Sequence, residues 1–507
     1  MDLTNLSPPF SLTDCSSLNR KSTPMKTYWT MAMICLAGCT TSGDRDHDDR
    51  NHDDIGVGDL AAMISHYRDG KNHLPNHIPV HDGTGVFTSD SAQGFIDLNN
   101  EFFQNLGTNG RRCVSCHVPT AGWTITPQQL QATFEQTDGG TSDDGPGLGA
   151  VFRTVDGANS PTADVSTRDN RRRAYSMLLT RGLIRIGLPI PANAEFELVA
   201  VDDPYHFASA AELSLFRRPL PTTNLKFDST VMWDGREVVP GNTVESELMS
   251  QASHAMVNHA QGAPLDPAQE TSIVTFMTAL ASAQIFDHQA GWLDDHGARG
   301  GPEPILSQPF HIGINDNFGD PVTGAPFNPV VFSVFDLWTF AQGPNSVTRQ
   351  QIARGQALFN THPIAITGVS GINDEPLFGT PTTLVGTCTT CHDTPNGGNH
   401  SVVAPLNIGL VDASRRTADM PLYTLRNKMT GQQVQVTDPG RALVDGKWAH
   451  IGRFKGPMLR NLASRAPYFH NGFAADLRDV VTFYDQRFSI GFTESEKADL
   501  VAFLRSL

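Results

Sequence analysis

The sequence has no run approaching the roughly eighteen consecutive apolar residues of a spanning helix, so no segment of the mature chain is expected to cross a membrane. Positive charge is in deficit: 37 Lys and Arg face 53 Asp and Glu, a formal charge of −16. Phosphate backbones are bound by clustered cations that displace counterions, which argues against nucleic acid as a partner. A cationic protein donor suits the charge better, and plain solubility explains it equally well. Cysteine is scarce. Three of the seven lie in the first 39 residues and the other four form two C-x-x-C pairs, so the body has no spare pair for a structural disulfide. A small stapled scaffold is also excluded by length, since 507 residues suffice for about two to four domains with their own cores.

Both pairs are followed by histidine, in Cys113-Val-Ser-Cys116-His117 and Cys388-Thr-Thr-Cys391-His392. C-x-x-C-H is the attachment pattern of c-type haem: the thiols add to the haem vinyls, and the next residue points its imidazole at the iron. Zinc would want a second ligand pair near each motif, and a thioredoxin-like site does not need the histidine. Two covalent haems c are therefore expected, with His117 and His392 as proximal ligands. The distal side decides between electron transfer and reaction, because a sixth protein ligand saturates the metal while an open position admits peroxide or dioxygen.

Behind Lys26, residues 28–38 form the brief apolar stretch of a secretory signal. Leu36-Ala-Gly-Cys39 looks like a lipobox with Cys39 as the lipidated residue, and Thr40 follows. The expectation is a signal over 1–39, with 25–39 as the true signal, leading to a periplasmic protein held to the outer membrane only by lipid; simple secretion is the alternative. Residues 40–85 read as an acidic flexible tether that opens with the charged stretch 42–54.

The chain repeats itself. Residues 266–280 match 493–507 in register. Each opens with a cap and a partner three residues on, Asp266 with Gln269 and Thr493 with Glu496. Each sets Ile273, Val274, Met277 and Leu280, or Leu500, Val501, Leu504 and Leu507, on one helical face. Helices are also expected before each haem motif, over Phe95–Leu106 and Arg354–Phe359. Residues 299–330 and 138–170 read as Gly/Pro-rich loops. The fold class expected is mostly α, with two cytochrome c-like domains, long loops and an internal repeat. Its parts are an N-terminal domain at 86–298, a connector at 299–344 and a C-terminal domain at 345–507.

From Gly386 to Leu507 the sequence resembles the di-haem cytochrome c peroxidase and MauG family. The likeness rests on Asn407-Ile-Gly-Leu410, Asp438-Pro-Gly-Arg441, Gly452-Arg-Phe-Lys-Gly-Pro-Met-Leu-Arg-Asn461, Ala466-Pro-Tyr-Phe-His-Asn-Gly472 and Asp479-Val-Val-Thr-Phe-Tyr484, and in the first half on Trp233-Asp-Gly-Arg236. The resemblance implies a reactive N-terminal haem and a C-terminal haem that stores or relays an electron, with Trp233 between them as relay or as interface packing. It also implies Tyr484 as distal ligand of the second iron, against a core aromatic, with Met458 as the nearest other ligand. Calcium at the domain interface is common in the family, but no dense Asp/Glu cluster marks it here.

The sequence departs from the family where reaction would occur. The stretch Glu245–Gln261 offers no clear equivalent of the family's distal glutamate. Gln251, His254 and His259 are the pocket candidates: a histidine there acts as base then acid, closes the iron as a ligand, or lies outside the pocket. The leading expectation is a periplasmic peroxidase-like enzyme that reduces hydrogen peroxide or uses it to oxidise a partner. A small cytochrome, a copper protein, or a protein or organic substrate would supply electrons. The rivals are a non-catalytic carrier, with His254, His259, Met249 or Met256 on the first iron, and an oxygenase whose organic substrate enters a channel walled by residues 118–230.

Overall fold

The computed structural model describes residues 60–142 and 148–507. The expected signal, Cys39 and the start of the tether lie outside them. Residues 60–85, read as the end of that tether, instead carry the helix Leu60–Tyr67 and the strands His73–Pro75 and Val80–His81, and Leu60, Met63 and Leu74 enter the core.

Helix makes up 32% and strand 16%, so helix leads without excluding a substantial β component. A four-stranded antiparallel sheet runs Val80–His81, Gly85–Ser91, Leu280–Asp287, Gly291–Trp292. Its central pair brings Ser89 opposite Ser282. These two serines anchor a buried chain of hydrogen bonds: Trp123 Nε1 donates to Ser89 Oγ at 2.8 Å, the two hydroxyls lie 3.0 Å apart, and Asn461 Nδ2 donates to Ser282 Oγ at 2.7 Å. A second sheet pairs Phe196–Asp202 with Leu422–Asn427 and then Gln433–Val436, so the long segment after the first haem motif donates a strand to the second half of the chain.

The two repeated helices form where the sequence places them, Pro267–Thr278 and Glu494–Arg505, each with the reciprocal cap formed. The helix Ser346–Thr361 covers the second pre-motif expectation. The first does not form. Phe95–Asp97 pairs as a strand with His73–Pro75, and only the single turn Glu101–Phe103 is helical. The reason is local: Asp97 takes the Asn99 N–H and Asn100 takes the Phe102 N–H, side-chain bonds that compete with a continuous helix. The described residues of 138–170 hold little regular structure but do not form a surface loop, since Val151, Phe152 and Ala158 are buried. Arg111 reaches in to bond the carbonyls of Ala150, Val151 and Val155.

Apolar side chains gather mainly in two clusters, one drawn from residues between Leu60 and Leu280, the other between Ala290 and Leu507. In the second, Gly355 sits where a Cβ would come 2.0 Å from the Asp499 carbonyl oxygen. That contact lets two helices approach closely, and it reverses the usual helix preference. Alanine in place of an interior glycine normally gains up to about 1 kcal/mol, whereas Gly355→Ala is expected to cost about 1–3 kcal/mol through overpacking and to lower the midpoint of thermal unfolding.

Candidate functional site

Each haem motif folds as a single tight turn, Cys113–Ser115 or Cys388–Thr390. The turns are closed alike: the Arg112 N–H donates to Ser115 Oγ at 3.1 Å and the Thr387 N–H to Thr390 Oγ1 at 2.9 Å. The histidines are also held alike. His117 Nδ1 lies 3.3 Å from the Trp123 carbonyl oxygen, and His392 Nδ1 bonds the Gly398 carbonyl oxygen, six residues on in both cases. An Nδ1–H donated to the backbone fixes the tautomer that leaves Nε2 free for a metal. Burial pushes His117 down to about 4 and lowers His392, so both rings stay neutral at pH 7. None of the four motif cysteines is in a disulfide; burial lifts Cys113, Cys388 and Cys391 to about 12 and raises Cys116 despite the nearby Arg111, so none has the lowered pKa of a redox thiolate.

Each motif opens on a cleft of similar size, about 1510 Å³ at the second and 1320 Å³ at the first, space open to solvent included. Two thiols and a neutral imidazole set in the wall of a large, mainly apolar cleft are the donor set a c-type haem requires. The second cleft also contains a buried imidazole, His470, with neither ring nitrogen hydrogen-bonded, as expected of a group awaiting a polar ligand. The residues fit haem at both places.

The clefts differ in character. Around the second motif the lining is apolar apart from a few groups, notably Tyr484, His470 and Lys455. Burial pushes the Tyr484 hydroxyl above its ordinary value and His470 down to about 4. His470 stacks on Phe454 at 3.9 Å and meets Trp233 edge-on at 6.2 Å. Met458 does not line this cleft; it packs with Phe227, Ala281 and Ile305.

The first cleft is charged. Leu248, Gln251, Ala252, Ala255, Met256 and His259, a stripe at helical spacing along Val244–Asn258 and its cap, form one wall. His259 Nδ1 bonds Asp156 Oδ2 at 2.6 Å, and Arg111 Nη1 stands 3.8 Å from the same oxygen. His254 faces away: it is 61% exposed and paired with Glu237 at 3.0 Å. Met249 does not line the cleft either. Sequence reasoning missed Asp156 and Arg111. Asp156 belongs to the segment read as a loop, and only three-dimensional folding brings it to His259.

Trp233 lines both clefts. Its Nε1 donates to the Arg218 carbonyl oxygen at 2.8 Å, and its own carbonyl accepts the Lys455 N–H at 2.8 Å. Beside it, buried Asp234 takes Arg217 Nη1 at 2.6 Å, and Arg217 closes a two-point bond to Asp438 at 2.7 and 2.9 Å. Burial alone would raise the Asp234 pKa, but Arg217 and Arg236 hold it below the ordinary value. A depressed folded pKa contributes stability that is complete above the unfolded value, about 3.9, and is lost as pH falls through the folded one. Thermal midpoints measured from pH 7 to 2 are therefore expected to show a loss below about pH 4 that Asp234→Asn flattens, from a lower starting stability.

No family model matches the chain. Among curated proteins, cytochrome-c peroxidase IdrP2 of Denitromonas iodatirespirans is 33% identical over 132 residues, 24% of this chain and 36% of the relative. IdrP1 of the same organism is 30% identical over 193 residues, 34% of this chain and 44% of the relative. The methylamine utilization protein MauG of Paracoccus denitrificans is 53% identical over 38 residues, 8% of this chain and 10% of the relative. The chain thus matches less than half the length of these relatives. A solved structure of a MauG-like protein associated with microbial copper homeostasis aligns over 85% of this chain and 92% of its own, at 16% identity and a TM-score of 0.37.

Proposed function

From a chain that is a relative of the di-haem cytochrome c peroxidase and MauG family, we propose a di-haem c-type oxidoreductase of peroxidase type that consumes hydrogen peroxide at the first cleft and passes electrons between two haems. One observation carries this reading: a single indole, Trp233, walls two clefts that each present C-x-x-C-H, and only one of them holds a histidine–carboxylate pair. When bound, the haem at His117 supplies an iron that exchanges electrons with peroxide.

The protein's own groups supply the rest. Asp156 accepts the Nδ1–H of His259 and thereby keeps Nε2 as the free proton acceptor. A base so held takes a proton from peroxide and returns it to the departing oxygen, the two roles one imidazole can fill in turn. Gln251 shares that wall and is placed to hold the substrate by hydrogen bonding. Trp233 is the relay between clefts, and Tyr484 the distal group of the second. Two cytochrome c-like lobes, a periplasmic location with lipid attachment at Cys39, a cationic cytochrome or copper donor, and calcium between the lobes complete the proposal. No described helix is long and apolar enough to cross a membrane.

The first test is peroxide turnover by the haem-loaded protein. His259→Ala is expected to reduce it by about 10²–10⁴-fold, His254→Ala to leave it unchanged, and Trp233→Phe to slow reduction of one haem through the other in stopped-flow spectra. Full turnover by His259→Ala would remove the proton-transfer role. A carrier reading has one observation in its favour, that His259 and Met256 both line the first cleft and either can ligate an iron. Electron paramagnetic resonance separates the two: a high-spin signal lost on adding peroxide supports the enzyme, and two low-spin haems indifferent to peroxide and to partial reduction support the carrier.

A further inference from the structure

Away from both clefts, Asp90 lies on the Gly85–Ser91 strand with no solvent exposure. The residue directly across from it is Ala281, and Ala283 faces Thr88. Both alanines belong to an apolar cluster with Ile305. A carboxylate on such a face is costly unless its oxygens are satisfied. Its Oδ1 is, taking the His77 N–H at 2.8 Å. Its Oδ2 makes no well-formed hydrogen bond and faces His77 Nδ1 at 2.9 Å in an ion-pair contact. Glu303 Oε1 stands 3.6 Å from the same Nδ1, and the three side-chain atoms lie within 4.8 Å of one another.

We propose that His77, Asp90 and Glu303 form a binding site for a divalent transition-metal ion of the zinc class. Neighbouring ligand atoms around such an ion, each about 2.1 Å from it, are about 3–3.4 Å apart, and the two separations from His77 Nδ1, 2.9 and 3.6 Å, bracket that spacing. One imidazole nitrogen with two carboxylate oxygens suits a borderline ion, whereas calcium and magnesium take oxygen alone. The buried ligand is fixed before the ion arrives. Asn76 helps to hold its neighbour in place, its amide giving and taking a hydrogen bond with the Ser91 backbone at 2.9 Å each. The two outer ligands are exposed, 62% for His77 and 63% for Glu303, which leaves room for entry and for water in the remaining positions. An ion here would tie the turn before the sheet, the sheet itself and the helix Glu303–Ser307 to one point.

The test is zinc binding to the full-length, haem-loaded protein after chelator treatment, by equilibrium dialysis with metal analysis and by calorimetry. One zinc equivalent is expected whose affinity falls tenfold or more in His77→Asn and in Glu303→Gln, and whose binding raises the thermal midpoint of the wild type only. Asparagine suits position 77 because the backbone there has φ of 65°, a region it tolerates well. Both changes are on exposed side chains, and an unaltered haem spectrum verifies the fold. The proposal is overturned if the wild type binds no more zinc than the two variants. It is equally overturned if the bound zinc is lost only from His47→Ala with His52→Ala, which would assign it to the charged N-terminal stretch.

Discussion

Arg217 brings a full positive charge to a place almost without water, and two carboxylates from opposite halves of the chain meet it there, Asp234 and Asp438. A buried charge is tolerable only when paired, and removing one partner from such a group typically costs about 3–5 kcal/mol. Much of the centre follows from this pairing. Trp233 immediately precedes Asp234, so the carboxylate that must reach Arg217 also fixes where the indole goes. Arg218, the next residue after Arg217, offers its carbonyl to the indole nitrogen. Gly235 follows with φ of 67° and gives its carbonyl to Arg441 at 2.7 Å. Two consecutive arginines thus hold two consecutive residues of the Trp-Asp-Gly-Arg motif, and the indole ends as a wall common to both clefts.

What the sequence makes legible is whatever is encoded over short distances. The haem motifs, the two capped closing helices and their apolar faces need only a window of some fifteen residues. The strand from Phe196 to Asp202 is opaque to that reading because its partner lies more than two hundred residues away, and no local pattern names a partner. The first pre-motif helix misleads for a different reason: Phe95 to Leu106 has the apolar content of a helix, but Asp97 and Asn100 spend their side chains on nearby backbone groups.

The pocket wall is an intermediate case. His254 and His259 look equivalent as residue types, but they are five positions apart on a helix, about 140° around its axis. Leu248, Gln251, Ala252, Ala255, Met256 and His259 follow one another at alternating spacings of three and one, and the whole stripe faces the cleft. Helical phase alone therefore separates His259 from His254. Asp156 is another matter, because it sits in a stretch without periodicity and reaches His259 only through the fold of residues that Arg111 pins down by their carbonyls.

The two clefts share a C-x-x-C-H turn, a histidine held through Nδ1 to a backbone carbonyl and an aromatic wall, so under the proposed reading whatever distinguishes their chemistry comes from the remaining lining. Haem iron is tuned by its axial ligand, by hydrogen bonding around it and by the polarity of its cavity. In the second cleft an apolar lining lifts the Tyr484 hydroxyl and keeps His470 neutral, conditions that hold both groups in one protonation state and disfavour proton transfer there. In the first, Arg111, Asp156 and His259 form a charged group at the wall, which is what proton movement requires. The same C-x-x-C-H turn stands twice in the chain; under the proposed reading, reaction is assigned to the half whose loop folds inward to bring a carboxylate to a histidine.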